Sequence, residues 1–114
     1  MTTIVIEKSP EGVYKGFTCM GHAGYAKSGK PDILCSAISA LSINTINGLE
    51  KAAGQKLDVK TDEKTGFMRC VILDKTSEGA RCLMSAFEDS VISLADEYGG
   101  KFLQIQFKEV KDNA

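Results

Sequence analysis

Residues 32–53, DILCSAISALSINTINGLEKAA, decide how the rest of the chain is read. Leu34, Ile38, Leu41, Leu49 and Ala52 recur at steps of three or four, with Thr45 filling the one polar gap. That spacing predicts a helix over about 33–53. Asp32 stands where an N-cap belongs, since its carboxylate can accept from the first unpaired amides of the helix. Gly54 is a natural stop. The opening turns are small and apolar all round, which predicts a deeply buried helix.

The flanks alternate instead. Residues 3–7 (TIVIE) and 13–21 (VYKGFTCMG) carry the two-residue period of strands and enclose a Ser-Pro-Glu-Gly turn, giving a hairpin. Residues 22–33 (HAGYAKSGKPDI) contain Gly24, Gly29 and Pro31 and read as a loop. Beyond the helix, 56–62 and 67–73 alternate again around Asp62–Gly66, a second hairpin. Ser77 caps a second helix to about Tyr98, with the stripe Ala80, Leu83, Phe87, Val91, Leu94 and Tyr98, and Gly99 and Gly100 end it. Residues 102–108 (FLQIQFK) form a last strand with Leu103, Ile105 and Phe107 on one face, and 109–114 are a polar tail. The order is ββαββαβ. It predicts an α+β domain spanning residues 1–114, with two helices packed on a mostly antiparallel sheet.

A chain of 114 residues fits one domain with one core, and 43% hydrophobic content is ordinary for a globular protein. Net charge is −1, from 14 basic and 15 acidic residues. That balance lacks the basic surface expected of nucleic-acid binding or of an anionic membrane partner, so neither is expected. No apolar run approaches the roughly 18 residues of a membrane span. The start, MTTIVIEK, reads as a strand and not as a signal peptide, so the cytoplasm is the expected location. The four cysteines, Cys19, Cys35, Cys70 and Cys82, include no CxxC pair. This argues against a zinc ribbon or a thioredoxin-type motif and predicts free thiols in a reducing compartment.

His22 is the only histidine, placed where the second strand runs into the loop. An imidazole is a natural general base near neutral pH. It is equally the residue of an ordinary hydrogen-bonded surface site, but Gly21 and Gly24 beside it allow close approach of backbone or substrate. Cys35 falls in the first turn after Asp32, where unpaired amides and the helix dipole favour a thiolate. An ordinary thiol is only a few per cent ionised at neutral pH, and a pKa lowered to about 6 would make it mostly thiolate. The alternative for Cys35 is a small buried hydrophobe opening a core helix. The twelve intervening residues reach up to about 40 Å, so the loop can close the pair.

Strand alternation puts Cys19 opposite Met20 and His22, which counts against a metal site built from Cys19, His22 and Cys35. Cys70 alternates with core positions, and Cys82 lies at the margin of the second helix's stripe. Ser39, one turn beyond Cys35, shares its face. It serves either as a hydrogen-bonding member of the site or as a small residue for helix–sheet contact. Asp32 can orient His22, cap the helix, or do both. Lys27 and Lys30 bring positive charge to the loop.

Gly21-His22-Ala23, the glycine-bearing loop, and Asp32-Ile33-Leu34-Cys35-Ser36-Ala37-Ile38-Ser39 together resemble the signature of the ribosomal-processing cysteine protease family, Prp. The likeness extends over nearly the whole chain. It implies a cytoplasmic, homodimeric endopeptidase without metal or cofactor. Its substrate would be the N-terminal extension of large-subunit ribosomal protein twenty-seven, cut after an aromatic residue and before alanine. His22 and Cys35 match the family's catalytic pair. Asp32, Ser39 and Gly21 match its supporting residues, and Ala23, Gly24 and Gly29 fall in a loop that covers substrate. The oxyanion would be met by backbone amides near the helix start. Two other readings stand beside this one, a non-enzymatic ribosome-associated assembly module and a thiol redox protein.

Overall fold

A computed structural model describes residues 1–27 and 32–111. The elements are β1 (Thr2–Lys8), β2 (Tyr14–Met20), α1 (Ile33–Asn47), a π-helical turn that continues it (Gly48–Ala52), β3 (Leu57–Asp62), β4 (Phe67–Ile72), α2 (Glu78–Tyr98) and β5 (Leu103–Glu109). The ββαββαβ order and the α+β class are those read from the sequence. The five strands form one sheet in the order β3-β4-β2-β1-β5. Neighbours are antiparallel except β1 and β5, which run parallel with Ile4 opposite Ile105.

The first hairpin turns at Gly12 (φ +84), whose amide donates to the Ser9 carbonyl. The register then pairs Ile4 with Cys19 and Ile6 with Phe17. These four side chains are buried and face the helices, where Leu34, Ile38 and Leu49 meet them from the α1 side and Ala80, Met84, Phe87 and Val91 from α2. Phe17 and Phe87 are in ring contact at 4.4 Å between centroids. Each Leu, Ile, Phe, Val or Met among them contributes about 1.5–3 kcal/mol by leaving water, so this layer fixes the register.

The helix caps form as the sequence implies, Asp32 for α1 and Ser77, which accepts from the Ala80 amide, for α2. One expectation fails. Helix α1 is buried on one face only, with Leu34, Ile38, Ser42 and Thr45 inward. Ile33 and Ile43 are 63% and 50% exposed. A single sheet covers only part of a cylinder with 3.6 residues per turn, so the outward apolar residues stay outside. On β5, Leu103 is buried and Ile105 half-buried, but Phe107 is 55% exposed. The strand keeps its alternation, and at this edge of the sheet the Lys8 Nζ lies 5.3 Å from the Phe107 ring centroid. The inward hydroxyls of Ser42 and Thr45 are satisfied within α1, donating to Ile38 and Leu41 carbonyls at 2.7 Å.

Candidate active site

The site begins where β2 ends. Gly21 adopts φ +85, and a β-carbon there would lie 2.6 Å from the Met1 carbonyl oxygen. The chain therefore turns sharply, and strand alternation does not reach His22. This corrects the placement of Cys19. It points into the helix-facing layer, lies 3.5 Å from the Ser42 hydroxyl, and lines the same cavity as His22 and Cys35. Burial pushes its thiol up, partly offset by the Ser42 contact.

One residue past His22, the Ala23 amide donates to Cys35 Sγ at 3.2 Å. This bond ties the exit of β2 to the first turn of α1. Ala23 is only 1% exposed and packs into the core, so it is not part of a covering loop. Gly24 is exposed at φ +69. Gly29 and Lys30 lie outside the described residues.

Asp32 uses both carboxylate oxygens on backbone amides. Its Oδ1 accepts from Leu34 and Cys35 at 3.0 and 3.1 Å, and its Oδ2 accepts from Tyr25 and Ala26 at 2.8 and 3.2 Å. Desolvation disfavours its charge, but these four bonds outweigh it and hold the carboxyl below its usual range. Asp32 is thus cap and loop staple together. The amides of Leu34, Cys35 and Ser36 all have partners on Asp32. They are not the free oxyanion donors expected at the helix start. The Tyr25 ring, held by the same staple, packs edge-on against Tyr98 and Phe102.

The third wall is the β3–β4 hairpin. The His22 Nε2 lies 3.1 Å from the Lys64 carbonyl oxygen. Gly66 (φ +68) approaches so closely that a β-carbon on it would sit 2.5 Å from the Gly21 carbonyl oxygen and 3.2 Å from His22 Cε1. Hairpin, β2 exit and α1 enclose a cavity of about 440 Å³, with Cys35, His22 and Ser39 beside the apolar Ile38, Phe67 and Met68.

His22, Cys35, Gly21 and Ser39 therefore meet at one cavity, and Asp32 supports it from behind through backbone. The hairpin contribution escaped sequence reading, because a carbonyl carries no residue-type signal. Gly66 in the turn was the one available hint. Of the remaining thiols, Cys70 is buried, and burial with the nearby Asp58 charge pushes it up to about 11. Cys82 is exposed on α2, not packed at a core margin.

The profile of the family described as cysteine protease Prp matches residues 1–103. A ribosomal processing cysteine protease Prp from Staphylococcus aureus is 24% identical over 98 residues, covering 86% of this chain and 92% of that protein. A crystal structure of the S. aureus ribosomal processing protease Prp with a covalently linked product peptide superposes with a TM-score of 0.86 at 22% identity, over 95% of this chain and all of that one. A Streptococcus mutans crystal structure gives 0.80 at 26% identity, over 96% of each chain.

Proposed function

The chain belongs to the Prp family of cysteine proteases, and from that premise we propose that it is an endopeptidase with Cys35 as nucleophile and His22 as its acid–base partner, acting on the N-terminal extension of large-subunit ribosomal protein twenty-seven. The observation that carries the assignment is the Ala23 amide on Cys35 Sγ, which fastens the residue after His22 onto the thiol of the cavity that both signature residues line. An amide donor at that distance stabilises developing negative charge on sulfur.

In the proposed reaction, His22 takes the Cys35 proton and the thiolate attacks the scissile carbonyl carbon. The oxyanion is met by the Ala23 amide, released from sulfur as the new C–S bond forms. Imidazolium then protonates the leaving amine, and water hydrolyses the thioester. Ile38, Phe67 and Met68 offer apolar walls for an aromatic residue before the cut. Ser39 stands at the rim and Asp32 holds the floor together. Under the same reading the protein works in the cytoplasm as a homodimer, and the exposed Ile33 on α1 supplies apolar surface for that pairing.

Cys19 does not rescue the redox reading. It is held at Ser42, seven residues and roughly 10 Å along the helix axis from Cys35. The assembly-module reading gains nothing from a net charge of −1.

The test is incubation with a peptide spanning the extension junction. Wild type is expected to release two products with the cut between the aromatic residue and alanine, while Cys35→Ala and His22→Ala release none. A folded wild type that leaves the peptide intact overturns the assignment.

A further inference from the structure

We propose that the backbone carbonyl of Lys64, at the tip of the β3–β4 hairpin, orients His22 and fixes its tautomer, which makes the hairpin a positioning element of the catalytic pair. The proposal rests on the reading of His22 as the partner of Cys35.

A carbonyl oxygen accepts and never donates, so the 3.1 Å contact with Nε2 requires the proton to be on that nitrogen. The neutral ring then keeps its lone pair on Nδ1, the nitrogen left to take the Cys35 proton. The aspartate of the signature does not fill this role, because both its oxygens are engaged by four backbone amides.

The hairpin tip is built to hold the carbonyl in place. The Lys64 amide donates to Asp62 Oδ1 at 3.1 Å, the Thr65 hydroxyl to the Asp62 carbonyl at 3.4 Å, and the Gly66 amide to the Glu63 carbonyl at 3.3 Å. Gly21 and Gly66, both with positive φ, let the two backbones touch where any side chain would separate them. The same hairpin also lines the cavity through Thr61, Glu63 and Phe67.

The experiment is a long-range ¹H–¹⁵N correlation on histidine-labelled protein, with free histidine in the same buffer as reference. In wild type, the Nε2-protonated form should be favoured about tenfold more strongly than in free histidine, the size of one net hydrogen bond. The Nε2 proton should also show cross-relaxation to protons of residues 64 and 65. Gly66→Ala, which drives the tip off Gly21, should return the ratio toward the free value and lower kcat about a hundredfold. Asp62→Ala, which removes the acceptor of the Lys64 amide at the cavity edge, is the milder variant should Gly66→Ala fail to fold. A wild-type ratio equal to that of free histidine, a proton on Nδ1, or an unchanged ratio in a folded variant overturns the proposal. Peptide cleavage separates the two readings. Cleavage with the proton on Nδ1 rejects the positioning role alone. An Nε2 proton without cleavage supports the positioning and rejects the protease.

Discussion

The amide of Ala23 points at Cys35 Sγ from 3.2 Å, so the backbone beside one signature residue is bonded to the side chain of the other. Replacing Ala23 by lactic acid swaps that N–H for an ester oxygen and keeps the buried methyl. A hydrogen bond to a charged group is worth about 1.5–3 kcal/mol. The ester protein should therefore lose roughly tenfold to a hundredfold in kcat/KM, by the conversion of about 1.4 kcal/mol per tenfold. Steady-state peptide cleavage checks it, with an unchanged rate as the adverse result.

Asp32 should matter more to stability than to the chemical step. Asp32→Ala removes an N-cap worth about 1 kcal/mol together with the loop staple. A fall of at least 4–8 °C in Tm is expected, on the scale of about 1 kcal/mol for a domain near this size. The sign of the pH effect follows from the lowered folded pKa. The charge contributes fully above the ordinary carboxylate range, and that contribution fades as pH falls through the lowered value. Urea unfolding of wild type and Asp32→Asn should show a stability gap at about pH 7 that narrows by about pH 3.

Native labelling should divide the cysteines. Burial raises Cys19 and brings Cys70 to about 11, and both side chains are shut from solvent. Alkylation of the folded protein near pH 8 should modify Cys35 and Cys82 and spare Cys19 and Cys70 until denaturant is added. Peptide mapping reads the outcome, and early modification of Cys19 would show the cavity to be more open than its walls imply.

Gly21→Ala should cost both stability and activity. A β-carbon would meet the Met1 carbonyl at 2.6 Å in a backbone conformation of φ +85. Strain of this kind costs about 1–3 kcal/mol. Because the same turn aims His22, peptide cleavage should fall further than the loss of folded protein explains. Thermal unfolding and cleavage of the residual folded fraction give the two numbers.

Local rules sufficed for the scaffold, because its determinants are local. Apolar periods set β1, β2, α1 and α2, and Asp32 and Ser77 cap the helices as their side-chain chemistry requires. The pair His22 and Cys35 was legible because residue type and signature agree. Misjudged were features decided by neighbours distant in sequence. The exposure of Ile33 and Ile43 depends on how much of a helix one sheet can cover. Cys19 shares the cavity with His22 because the backbone turns at Gly21, so the alternation of β2 does not carry on to His22. The Lys64 carbonyl was invisible, since any residue supplies one and only the hairpin's fold brings it to His22.

The most direct measurement of the central claim is mass-spectrometric mapping after treatment with a peptidyl chloromethyl ketone that ends in an aromatic residue, which alkylates a nucleophile only where the peptide binds. The account predicts one adduct per chain, on Cys35, formed quickly by wild type and far more slowly by His22→Ala. Stoichiometric adduct on Cys82, or equal rates in the two proteins, would contradict it.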